Sequence, residues 1–413
     1  MMAPWSLGRR IALRFGVIFG ALFIFPFPLY WIPKLGSFAD DLGRPFTWLA
    51  VWVAQAILGL PRPVTEPSGS GDQTADYVRM LVMVVLAAVA TVVWSILDRR
   101  RPGYPRLAAV AHVVLRWYLA SVMLSYGFAK LTTGQFPAPL PSTLDQRIGE
   151  ISPMRLIWTF MGYSAPYTMF AGLGEAVGGF LLMWRRTATL GALIVAVVMT
   201  NVVLINFCYD VPVKLYASAY LVMAILIALP SARRVIGAVL GHATAGAPER
   251  PRLSPRLERV RRVSKLAMFA ILGCIVYSEL GSVRKEPPHH ELEGIWIVDT
   301  FTADGVTHPP LATDPERWGH VPINPRGMWL TPMIGERRWF GLKVDESAHT
   351  MTLTPEDTAH GPMTWRYAHP APDQLVIDGV DRGHQVHATL HLQPDGLLMT
   401  RGFHWVNEQP FNK

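Results

Sequence analysis

The sequence is short of cysteine and of charge. Only two cysteines, Cys208 and Cys274, stand among 413 residues, and no Cys-x-x-Cys occurs. That excludes a dithiol redox motif and a cysteine-based zinc site. A disulfide between the two is not expected, because one falls at the end of an apolar run and the other near the middle of another, whereas bridged Cα atoms lie within about 7 Å. Charged residues make up 16% of the chain, which does not fit a disordered protein. No flavin, haem or iron–sulfur motif is present, and no internal repeat is apparent.

What is there is apolar. Hydrophobic residues are 51% of the chain and gather into long runs, the mark of a polytopic membrane protein. The formal net charge is +8. The arginines bunch between the apolar runs, which is an orientation signal rather than a nucleic-acid footprint, and no nucleic-acid partner is expected.

Basic residues precede the first run, GRRIALRFGVIFGALFIFPFPLYWIP, and no small-residue cleavage site follows. Residues 11–32 therefore read as an uncleaved first span with a cytoplasmic N-terminus. An external loop comes next. Its apolar stretch at 46–60 is short for a span and reads as a helix lying at the interface or tucked against the bundle. Further spans are expected at about 77–97, 107–130, 166–184, 187–207, 214–230 and 264–283, seven in all, with the helix LIWTFMGYS part of an external loop. The arginine-rich stretches 98–106, 185–186 and 233–265 should then be cytoplasmic, in a multi-pass protein of the cytoplasmic (inner) membrane. The same count puts the C-terminal domain outside. The divisions are N-terminal spans and loop (1–106), a four-helix core (107–230), a basic linker (231–262), a last span (263–284) and a β-domain (287–413).

The β-domain is polar and broken by turn signals such as ADG, NPRG and PDG. Between them lie GIWIVDTFT, GMWLTPM, RWFGLKV, HTMTLTP, MTWRYAH, DQLVIDG, HQVHATLHL and LLMTRGFHWV. In HQVHATLHL, Val386, Ala388, Leu390 and Leu392 share one face, the period of a half-buried antiparallel strand. About eight strands predict a small all-β antiparallel barrel or sandwich. Trp296, Trp329, Trp339, Trp365 and Trp405 read as core or barrel lining. His289, His290 and Glu291, and the pair His387 and His391, invite a metal reading. His387 and His391 would stand about 13 Å apart on one strand face, too far for one ion, so no metal is expected.

Membrane-depth charge marks the candidate site. Arg116 in LRWYLASVMLSYGFAKL and Glu175 in FAGLGEAVGGFLLMW each fall near mid-span, where a bare charge costs at least about 2.5–3.5 kcal/mol. His112, Arg116, Gly127 and Lys130 fall on one helical stripe; Ala171, Gly174, Glu175, Gly178 and Gly179 make a small-residue face suited to close packing. An Arg116–Glu175 ion pair is the central expectation, either functional or only fixing helix register. A second group lies in NVVLINFCYDVPVKLYASAY: Asn201, Asn206, Tyr209, Asp210 and Lys214. With Lys130 it suits an anionic or quinone-like headgroup; the alternative is an interfacial belt with snorkelling lysines.

The segments RWYLASVMLSYGFAKL and GEAVGGFLL resemble the Arg, Gly-x-x-Lys and Glu-x-x-Gly-Gly patterns of the DoxX-like superfamily, over about residues 107–230. The resemblance implies a four-helix bundle in the cytoplasmic membrane. Some members of that superfamily are subunits of thiosulfate:quinone oxidoreductase, and wider relatives include the transmembrane part of vitamin K-dependent carboxylases. It leads to the expectation of a quinone- or lipid-linked redox role. Glu175 would relay a proton, Arg116 would hold it ionised, Lys130 and Lys214 would attract an anionic substrate, and Asp210 would complete the site. His112, Asn201, Asn206 and Tyr209 would contact a quinone; membrane lipids are the other expected partners. The alternative is a non-enzymatic membrane-anchored scaffold or cargo binder acting through the β-domain.

Overall fold

The computed structural model describes residues 4–32, 34–66, 68–242, 255–283, 289–356 and 361–411. They fall into two compact units, one from 1–137 and 153–284, the other from 138–152 and 285–413. The segment 138–152 was expected inside the helical core. It belongs instead to the β-unit.

The first unit is helical. It comprises α1 (Leu7–Ile24), α2 (Gly36–Ala56), α3 (Thr74–Leu97), α4 (Pro105–Leu131), then, after α5 (Pro141–Leu144) of the other unit, α6 (Pro153–Tyr163), α7 (Ala165–Leu182), α8 (Ala188–Cys208), α9 (Lys214–Ala228), α10 (Ala232–Val239) and α11 (Pro255–Val283). Among the described residues, four helices are long and apolar enough to cross a membrane: α3, α4, α8 and the run Lys214–Val239 made by α9 and α10. Of the other expected spans, α1 carries Arg9, Arg10 and Arg14, and α7 carries Glu175 among glycines. The helix α11 begins PRLERVRR and has its apolar part at Lys265–Cys274. Most of the basic linker, residues 243–254, lies outside the described residues.

The helix expected at 46–60 is the second half of α2, which starts ten residues earlier, at Gly36, runs through Pro45 and is tucked against its neighbour, with Ala50 and Ala54 on Val78 and Val82 of α3. The helix expected at LIWTFMGYS is the greater part of α6, up to Tyr163. Helix starts follow ordinary rules. Pro105 opens α4, where its missing N–H costs nothing, and the Ser164 hydroxyl accepts from the Tyr167 N–H at the start of α7.

Glycine sets the helix spacing. A Cβ on Gly127 of α4 would stand 2.8 Å from the Ala176 nitrogen, one on Gly172 of α7 would stand 2.7 Å from the Gly127 oxygen, and one on Gly179 3.0 Å from the Ala120 oxygen. Pairing 127 with 172–176 and 120 with 179 makes α4 and α7 antiparallel and backbone-close. Around this seam Leu119, Met123, Leu182, Val195, Ala224 and Ile227 are buried.

The second unit is a closed antiparallel β-barrel. Its strands are β1 (Gly294–Ala303), β3 (Trp318–Asn324), β4 (Gly327–Pro332), β5 (Arg338–Asp345), β6 (Thr350–Pro355), β7 (Met363–Ala371), β8 (Gln374–Asp381) and β9 (His384–Leu392), with β2 (Val306–Thr307) a two-residue flap on β1. Each strand pairs with its neighbour, and β1 pairs with β9 to close the ring of eight. Seven strands fall on the expected runs. The eighth does not: WGHVPIN forms β3, whereas LLMTRGFHWV supplies only the helical turn α12 (Leu397–Thr400) and an exposed tail. Pro322 had disguised β3, since proline cannot donate to a ladder. The barrel is filled by side chains. Trp296, Trp318 and Trp365 are fully buried, and Trp318 stacks on Trp365 at 5.3 Å. Trp339 and Trp405 stay on the outside. The buried Asp381 accepts two bonds from Arg338 (2.7 and 2.6 Å) and one from the Trp318 indole (3.1 Å). Asp145, from the 138–152 segment, meets His320 at 2.9 Å and Arg337 at 3.5 Å, and Ser142 bonds Asn324 at 2.8 Å.

Candidate functional site

The seam between α4 and α7 holds one closed ion pair. The Lys130 ammonium donates to both Glu175 oxygens, at 2.8 and 2.7 Å, and both side chains are buried. Two charges at membrane depth can be held there because they meet each other and no lipid. The glycines make the contact possible, since Gly172 packs directly under the Lys130 Cβ. Tyr126 lies one turn back on α4, with the Lys130 ammonium 5.8 Å from its ring centre.

This corrects the expected Arg116–Glu175 pair. Arg116 instead donates to the carbonyls of Leu182 (2.9 Å) and Met183 (3.2 Å) at the C-terminal end of α7. Those carbonyls have no intrahelical partner, and a cation there also meets the negative end of the helix dipole. Depth explains the error. Ala120 is level with Gly179, so Arg116 is level with the end of α7, and Glu175 lies about two turns away beside Gly127. The partner of Glu175 was on the predicted stripe, but about four turns further along it.

The remaining expected residues sort into smaller groups. His112 Nε2 lies 3.2 Å from the Ile227 carbonyl and ties α4 to α9. Asn206 is buried and donates to the Val213 carbonyl at 3.3 Å, which fastens the turn between α8 and α9. Asn201 is exposed and Tyr209 half-buried. Lys214 pairs with the exposed Asp210 at 2.8 Å and lies 3.7 Å from Asp72. Asp72 was missed by the sequence reading. Its carboxylate accepts from the Lys214 and Leu215 N–H groups (2.8 and 3.0 Å), and so caps α9 from a loop 142 residues away. Asp210 and Lys214 thus serve a helix start, and their bonds do not run to Lys130 and Glu175.

A tyrosine cluster was also missed. Tyr126 and Tyr118 each stand 6.4 Å from Tyr220, and Tyr216 stands 6.5 Å from it. Tyr216 accepts a hydrogen bond from Arg79 of α3. A signal existed: Tyr118 and Tyr126 are eight apart on α4 and Tyr216 and Tyr220 four apart on α9, spacings that share a helix face. The cluster runs from the Lys130–Glu175 pair towards α3.

In the barrel, His387 and His391 each take their own carboxylate, Asp378 and Asp299, both at 2.7 Å. Among the described residues no group of three histidine, cysteine or acidic side chains could hold a metal ion.

Comparison with known proteins adds one relative. The uncharacterized protein YwoB of Bacillus subtilis is 36% identical over 122 residues, which is 30% of this chain and 77% of its own length. The chain belongs to the YwoB family. That relationship carries no stated activity. No family model and no solved structure matches the chain.

Proposed function

We propose that this is a multi-pass protein of the cytoplasmic (inner) membrane that binds a quinone- or isoprenoid-like lipid between its helices. In this reading it moves a proton at Glu175 during membrane redox chemistry. The observation that carries the proposal is the buried Lys130–Glu175 pair, lined by tyrosine and set in a glycine seam. Reduction of a quinone to a quinol takes up two electrons and two protons. The electrons come from an external anionic two-electron donor, which is oxidised in the step, and one of the two protons comes from water. Glu175 is the chain's buried group suited to exchange one of the protons, and Lys130 holds it ionised between turnovers. Arg116 acts as a positioning residue at the end of α7. The resemblance to the DoxX-like superfamily supports the same reading. In this topology the N-terminus is cytoplasmic and the barrel extracytoplasmic.

The second reading is a membrane-anchored scaffold that binds a partner through the barrel. The filled barrel interior favours contact through its outer face. One experiment separates the two. Small molecules extracted from detergent-purified protein are identified by mass spectrometry, wild type beside Glu175→Gln. A quinone or isoprenoid bound to the wild type and depleted in the variant is expected. Identical ordinary phospholipids in both, with the variant folded, would overturn the lipid-binding reading in favour of the scaffold.

A further inference from the structure

A cavity of about 350 Å³ lies in the helical unit, away from the Lys130–Glu175 pair. Its lining comes from the end of α1 and the turns after it, from α2, α3 and α4, and from the start of α9. Small-molecule sites span roughly 300–1,000 Å³, so this one holds a single ring-sized head. Only Tyr118 of its lining is on the four-helix core's first helix; most of the rest is N-terminal, outside every residue singled out from the sequence.

Two features fix the chemistry it would accept. The walls are aromatic: Phe27 meets Tyr118 edge-on at 5.3 Å, Phe23 lies 6.0 Å from Tyr216, and Phe25 lies 5.9 Å from Phe46. Such walls favour a flat ring over a flexible chain. The polar end is Arg79, with Asp76 one turn before it at 3.4 Å and the Tyr216 hydroxyl as a second partner. Arg79 keeps further guanidinium N–H donors beyond these two contacts, since it has five in all. Asp76 cancels its charge. A phosphate would meet no net positive charge here, whereas a neutral carbonyl oxygen needs only a donor. Tyr30, half exposed, stands at the rim and leaves room for a tail to leave the cavity.

We propose that this cavity is the binding site for the head of a flat, ring-ketone amphiphile of the quinone type. The ring lies against Phe27 and Tyr118, and a ring carbonyl accepts from Arg79. The proposal rests on the reading that the protein takes a quinone-like lipid. It places the head beside α3, at the end of the tyrosine cluster away from the Lys130–Glu175 pair.

The test uses full-length protein in detergent and a decyl-substituted benzoquinone carrying a photoactivatable azide. Cross-linked peptides are mapped by mass spectrometry, and the Kd is measured by tyrosine and tryptophan quenching. Cross-links to residues 22–30 and 76–83 are expected. Arg79→Gln should weaken binding at least tenfold, and Met80→Trp, which fills the cavity without touching the ion pair, should abolish it. Should Arg79→Gln fail to fold, Met80→Trp decides. Cross-links confined to α7 and the Tyr126 turn, with Met80→Trp binding like wild type, would overturn this site and leave the proposed function standing. Displacement of the probe by an anionic phospholipid at equal concentration would overturn the neutral-head assignment. No binding by the wild type would overturn both.

Discussion

At the residue scale the buried pair makes the sharpest demand. Removing one member strands a charge at membrane depth, which costs about 3–5 kcal/mol. Lys130→Met and Glu175→Leu should each destabilise by about that much. The double variant, which buries two apolar groups of similar size, should recover most of the loss. Unfolding of all four proteins in mixed micelles measures the cycle. Additive losses would mean that the two side chains do not act as a unit. A second residue-scale expectation lies on the barrel surface. His384 and Asp304 meet at 2.7 Å. The bond to Asp304 holds the His384 imidazolium above its usual pKa, and the bond to His384 holds Asp304 below its own. Stability from the raised histidine is present below its unfolded value of 6.5 and fades as pH rises through the folded one. Stability from the lowered aspartate is present above 3.8 and fades as pH falls through its folded value. The pair therefore supports the barrel fully only between those limits. Histidine NMR should show His384 titrating above 6.5, and Asp304→Asn should bring it down. The charged residues themselves were plain in the sequence. Their partners were not, because the register of two helices depends on which end of each is level, and Arg116 lies two turns from where span counting put it.

At the scale of elements, what was legible followed the strength of periodicity. HQVHATLHL alternates and is a strand; LLMTRGFHWV is apolar without alternation and is not. WGHVPIN is a strand despite Pro322, because Val321 and Ile323, two apart and so on one face, still reach the core. The long apolar helices were visible for the same reason. The α4–α7 seam was legible too, since small residues at helical spacing announced close approach. A leucine at Gly172 would have to displace the Gly127 oxygen and the Lys130 Cβ. Gly172→Leu should cost about 1–3 kcal/mol from overpacking and should disturb the Lys130–Glu175 bond. A leucine at Gly16, whose Cβ would meet nothing within 4 Å, should be tolerated. The comparison of the two variants' unfolding in micelles checks this. Asp72 capping α9 lay beyond reach of the sequence, because a cap supplied from 142 residues away leaves no local pattern.

At the scale of the whole molecule, a helical bundle and a β-domain were expected and both are present, but the boundary between the two compact units was not visible. Residues 138–152 sit between two apolar helices and carry no β pattern. Only the fold shows that Asp145 and Ser142 serve the barrel. Asp145 is almost fully buried between Arg337 and His320. Burial already pulls the Arg337 guanidinium below its ordinary range. Asp145→Ala removes the carboxylate beside that cation, leaving it the Ser142 carbonyl at 3.3 Å, and should cost the barrel about 1–3 kcal/mol. Faster amide exchange in β3 and β5, with the distant β8 unchanged, is the expected signature.

The two-part barrel unit also sets an arithmetic condition on biogenesis. A compact fold cannot be assembled from pieces on opposite sides of a bilayer, so the chain between residues 137 and 285 has to return to the face it left. The number of crossings there is even, whatever the orientation of the whole. Between them, α8 and the α9–α10 run are long and apolar enough to cross, and two crossings meet the condition. If one of them failed to insert, the barrel strands would be stranded in one compartment and Asp145 in the other. Completion of the barrel would thus report that every crossing had been made.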